Sequence, residues 1–156
     1  MKFVITIIVG VALVGTVACQ GPIKKEGTAA VAAKDAAALS PEQARVEAVL
    51  KSAGKPFAPR GDLKLATLPA GCSWHGVYAT KNPEVILETF VFPKAADAET
   101  YCSARTKDRG AAPERQMRLA GMNKGLLLIA CYDEAKDGEA KFAAAAPFAN
   151  AFSAAE

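Results

Sequence analysis

Among the segments of this chain that read as strands, Leu126–Tyr132 constrains the fold most. It runs Leu-Leu-Leu-Ile-Ala-Cys-Tyr with no polar side chain before the tyrosine. A strand this apolar belongs in the middle of a sheet, where water does not reach it. The rest of the domain has to be arranged around it. Aromatic residues are few, at 7% of the chain, and most lie in the second half. The core is therefore expected after about residue 58.

Two runs upstream supply strands to flank it. Cys72–Thr80 alternates, with Cys72, Trp74, Gly76 and Tyr78 on one face and Ser73, His75, Val77 and Ala79 on the other. Val85–Phe92 is rich in branched and aromatic residues. Lys81-Asn82-Pro83 between them reads as a turn, so the pair should form an antiparallel hairpin. Leu63, Leu65 and Thr67 suggest a short edge strand before it. Gln116–Ala120 reads as a further strand, and Gly121–Gly125 as the turn into Leu126.

Helices fit the intervals. Ala95–Asp108 spaces Ala98, Tyr101, Cys102 and Arg105 three and four apart, which places Tyr101 and Cys102 on its buried face. A last helix carries Phe142, Ala145, Ala149 and Phe152, with Pro147 as a kink or a delay. Ser40-Pro41-Glu42-Gln43 has the N-cap, the first-turn proline and the capping-box glutamine of a helix start. That helix should occupy residues 40–54, with Val46, Val49 and Leu50 as its apolar stripe. The order strand-strand-helix thus occurs twice, with no residue-level repeat. The expected class is α+β. The expected architecture is a two-layer sandwich over residues 60–156, an antiparallel sheet of about four strands with helices on one face (ββαββα), preceded by the short N-terminal helix.

The N-terminus is of another kind. Met1–Lys2 is a short positive start, Phe3–Val14 is apolar apart from Thr6 and Gly10, and Gly15-Thr16-Val17-Ala18 leads into Cys19. A charged start, an apolar stretch and small residues before a cleavage point make a secretory signal. The run is short of the ~20 apolar residues that span a bilayer. Residues 1–19 resemble the lipobox signal of bacterial lipoproteins. Ala18 and Cys19 match its last two positions, while Thr16 stands where Leu is usual. The resemblance implies removal of residues 1–18, acylation of Cys19 and membrane lipid as a partner. Gln20, in place of the Asp common in inner-membrane lipoproteins, implies the periplasmic face of the outer membrane. Cleavage after Ala18 without acylation would instead leave a soluble periplasmic protein. Residues 19–39, rich in Ala with few large apolar side chains, read as a flexible tether.

The formal net charge of +3 falls to +2 once Lys2 leaves with the signal. That balance gives no reason to expect nucleic acid as a partner. One basic cluster remains: Arg105, Lys107, Arg109, Arg115 and Arg118, a candidate surface for another envelope protein or an anionic glycan. After export Cys72, Cys102 and Cys131 meet an oxidising compartment. Cys102–Cys131 is the expected disulfide, with Cys72 the alternative partner. Cys72-Ser73-Trp74-His75 holds a thiol and a base, but in a strand residues three apart point to opposite faces. His75 is therefore expected half-exposed on the outer face. Asp133, Asp137, Gly138 and Glu139 fail as a calcium loop because Ala135 and Ala144 stand where ligands are needed. No cofactor or metal and no catalytic residue are expected. The expected function is a non-enzymatic binding or structural domain; a thiol-dependent redox factor or enzyme, and a binder of small apolar ligands, are the alternatives.

Overall fold

The computed structural model of the chain describes residues 39–108 and 110–156. The signal at 1–18, Cys19, Arg109 and all of the tether but its last residue lie outside the described residues.

The elements run α1 (Pro41–Ser52), β1 (Ala58–Pro59), β2 (Trp74–Ala79), β3 (Ile86–Val91), α2 (Ala95–Lys107), β4 (Met117–Asn123), β5 (Leu126–Cys131) and α3 (Gly138–Ala154). The strands form one antiparallel sheet in the order β1-β2-β3-β5-β4. The described residues are α+β, with five strands and three α-helices.

A local signal explains the start of α1. The Ser40 hydroxyl accepts a hydrogen bond from the Gln43 amide at 3.2 Å, and Pro41 needs no amide partner in the first turn. The Gln43 side chain does not turn back to Ser40; it donates to Glu47, 3.0 Å away, one turn on. In α1, Val46 and Leu50 are fully buried and packed against Tyr78 and the rest of the core on one face of the sheet.

β5 decides the layering. All six of its residues, Leu126 to Cys131, are without solvent exposure. Leu126, Leu128 and Ala130 pack with Leu87, Phe148 and Phe152 beneath α1 and α3. Leu127, Ile129 and Cys131 point the other way, toward Phe90, Phe92 and Ala98 beneath α2. Side chains alternate across a strand, so an uninterrupted apolar run needs cover on both sides. The expectation of helices on one face holds for α1 and α3. α2 lies across the opposite face, because the odd-numbered residues of β5 also have to be buried.

Two local expectations also change. Leu63, Leu65 and Thr67 form no strand; Gly61–Leu63 closes as a 3-10 turn, and the strand beside β2 is Ala58–Pro59. Gly121 does not begin a turn. β4 runs on through Gly121, Met122 and Asn123, and the reversal is made by Lys124 and Gly125, both at positive φ, as in a two-residue hairpin turn. Gly121 serves a different purpose: α3 lies so close over β4 that a Cβ there would overlap the Ala149 backbone carbonyl. Phe142, on the same helix as the buried Phe148 and Phe152, is 51% exposed.

Gly121→Ala should therefore destabilise the fold by about 1–3 kcal/mol, the cost of overpacking. Thermal denaturation of the variant checks it, since an unchanged midpoint would mean that α3 does not rest on Gly121.

Candidate functional site

The α2 face of the sheet holds a buried charge. Glu88 sits in the middle of β3 with 2% exposure, on the same side as Phe90 and Ile86. An isolated carboxylate there would be prohibitively costly. Two arginines accompany it. Arg105 of α2 donates from Nη2 to Glu88 Oε2 at 3.2 Å. Arg115, in the 3-10 turn before β4, brings Nη2 within 2.7 Å of Oε1, an ion pair whose angle is not that of a hydrogen bond. Arg105 also meets Asp108 at 3.6 Å and Cys131 Sγ at 3.9 Å. Its Nε has no partner among the described residues.

His75 lies on the same face, buried rather than half-exposed. Its ring packs on Phe90 with centroids 4.7 Å apart, and its Nδ1 accepts a 3.4 Å hydrogen bond from the Leu65 amide. This arrangement requires neutral imidazole. Burial, and then the positive charges of Lys64 and Arg115, lower its pKa to about 4.

The expected basic cluster is not one surface. Arg105 and Arg115 turn inward to Glu88. Arg118 pairs with Glu134 at 2.9 Å and donates to the Tyr132 carbonyl. Lys107 is exposed. What separates these residues is the counter-charge each one meets, and Glu88 was the signal: one acid inside an apolar strand, followed by arginines.

Among the described residues, Cys72, Cys102 and Cys131 are free. All belong to the α2 side: Cys131 lies in its core, and Cys72 and Cys102 pack against that core. Burial pushes all three thiols up, Cys131 to about 12 with Glu88 adding to the effect. The Cys72 thiol donates to the Trp74 carbonyl at 3.0 Å, and nothing pairs it with His75.

Beside the ion triad, where β3 begins and β5 ends, a groove of about 690 Å³ opens to solvent. Its floor includes Ile86, Cys131 and Tyr132. Its rim carries Arg60, Arg115, Lys136 and Lys141 against Glu84, Glu114, Asp133 and Asp137, four charges of each sign. The volume is that of a ligand or peptide cleft, and Arg115 links it to the buried pair. Among the described residues, no cluster of three metal-ligating side chains occurs, and no helix is long and apolar enough to cross a membrane. Compared with protein-family models, curated proteins and solved structures, the chain finds no match.

Two measurements test this site. Glu88→Gln leaves Arg115 without its counter-charge and Arg105 with only the exposed Asp108, and should cost about 3–5 kcal/mol in urea unfolding; a loss under about 1 kcal/mol would mean that the pair behaves as an exposed one. For His75 the folded pKa lies below the unfolded one, so the unfolded chain takes up a proton first as pH falls. The His75 contribution to stability should decline from about pH 6.5 to about 4, by about 2–3 kcal/mol, and level off below. His75→Phe should remove that segment of the pH profile, and a wild-type profile flat over the interval would contradict the buried neutral ring.

Proposed function

We propose that this chain is a bacterial envelope lipoprotein, acylated at Cys19 and held at the periplasmic face of the outer membrane. Its domain binds another envelope component without chemistry. The observation that carries the reading is the order of residues 1–19: positive start, apolar run, small residues, cysteine. Nineteen residues, 20–38, lie between Cys19 and Leu39, where the described domain begins. Fully extended they would reach at most roughly 70 Å, so the domain works within that distance of the lipid.

The groove beside Glu88 supports a binding role. Its rim of balanced charge suits a protein or peptide partner bearing both signs better than a uniformly anionic glycan. The thiol-based alternative needs a lowered thiol pKa at an accessible site. Burial raises all three thiols, which opposes it.

The test is the intact mass of the mature protein from membranes, with thiols alkylated before and after denaturation. The expected result is a mass from Cys19 onward plus acyl chains, absent in Cys19→Ala, with slow native labelling of Cys72, Cys102 and Cys131. An unacylated mass overturns the anchor, and one fast thiol in the native protein turns the reading toward redox chemistry.

A further inference from the structure

The buried ion triad is uneven, and its excess positive charge faces the groove. Glu88 brings one negative charge to two guanidinium groups. Arg105 has a second acid, Asp108, at 3.6 Å. Arg115 has none. Among the described residues Glu88 Oε1 is its one ionic partner, at an angle that makes no hydrogen bond. The N–H donors of Arg115 are therefore left for another acceptor, while Glu88 holds the charge in place from behind. Arg115 lines the groove and Arg105 does not. A guanidinium fixed in this way is preorganised to take a carboxylate through two parallel N–H bonds.

The other charges of the groove divide into matched and unmatched. Glu84 is engaged by Arg60. Asp133 is engaged by Lys136 at 3.7 Å and by the Ala135 amide at 3.0 Å. Glu114 and Asp137, both exposed, form no ion pair among the described residues. They can receive a cation, as Arg115 can receive an anion.

The floor selects the kind of carboxylate. Ile86 lies two residues before Glu88 on the same face of β3, a step of about 7 Å. Cys131 is its cross-strand partner. The anion site and an apolar shelf are thus close neighbours. At a chain end the carboxylate and the last side chain branch from the same Cα, so one can reach Arg115 while the other lies over Ile86. An aspartate or glutamate carboxylate is the tip of its side chain and carries nothing apolar beyond it.

We infer that the groove receives the free C-terminus of a short peptide ending in an apolar residue. Its carboxylate lies on Arg115, its last side chain on Ile86, and a cationic group, the amino terminus or a basic side chain, toward Glu114 and Asp137. This inference rests on the binding role proposed above and names the chemistry of the partner. The volume of about 690 Å³ is in the range of small-ligand and short-peptide sites. A uniformly anionic glycan would bring no cation to Glu114 and Asp137, and a peptide with a blocked C-terminus would leave Arg115 unmet.

The test uses the full chain purified in detergent and held on a support. It is offered a pool of short peptides ending in apolar residues, each present as the free acid and as the C-terminal amide. Retained peptides are identified by mass and their affinities measured by calorimetry. The free acids should bind at least about tenfold more tightly than their amides. Arg115→Gln should abolish that difference. Arg115→Lys, which keeps the charge beside Glu88 but not the two-pronged geometry, should reduce it, and it decides the point if Arg115→Gln loses its melting transition. Lys107→Gln, exposed on α2 and outside the groove, should leave it unchanged. Amides retained as tightly as acids, or a preference for acids undiminished in both Arg115 variants, would overturn the inference and leave the binding role standing. A pool from which nothing is retained would also overturn it. The binding role falls with it only if no envelope partner co-purifies with the acylated protein.

Discussion

Burial of β5 on both faces is the constraint on which the arrangement depends. Six consecutive residues without solvent exposure cannot be satisfied by one layer of helices. α1 and α3 close one side with Val46, Leu50, Phe148 and Phe152. The other side offers a smaller core, Phe90, Phe92, Leu127, Ile129 and Cys131, and one helix to cover it. The order β2-β3-β5-β4 follows, because β3 is the strand with enough apolar side chains to stand beside β5 on both faces.

The smaller core is completed by charge rather than by more carbon. Glu88 faces α2 from the central strand, and Arg105 reaches down from α2 to meet it. Arg115 does the same from the chain just before β4. A buried acid bridged by two separate segments specifies where each lies, although an ion pair of this kind is weak evidence for net stability. Burial, with Glu88 adding to it against the pull of the two arginines, keeps the adjacent thiol of Cys131 protonated.

Much of this was legible in the residues. Ser40-Pro41 marks a helix start, the alternation of Trp74–Ala79 gives the correct faces, and Leu126–Cys131 is central. The second helical layer was implied by the same apolar run but not drawn from it. His75 was misplaced for that reason: a face thought to be wet is covered. Gly121 looked like turn chemistry because a glycine that admits a neighbouring backbone and a glycine that bends the chain are the same letter. The arginines read as one cluster because sequence shows which charges are near in number, not which acid each one meets. A groove formed by strand ends and two loops has no local signature at all.

The placement of α2 opposite α3 also bears on the origin of the chain. β2-β3-α2 and β4-β5-α3 repeat an order of elements, and their inner strands pair antiparallel. The one rotation that lays the first hairpin on the second is a half-turn normal to the sheet, and it leaves each helix on the face where it began. α2 and α3 sit on different faces. The two halves therefore have opposite hands, and no rigid movement superimposes them. A simple copying of one ββα ancestor would have given both halves the same hand; here one helix would have had to pass to the other side of the sheet.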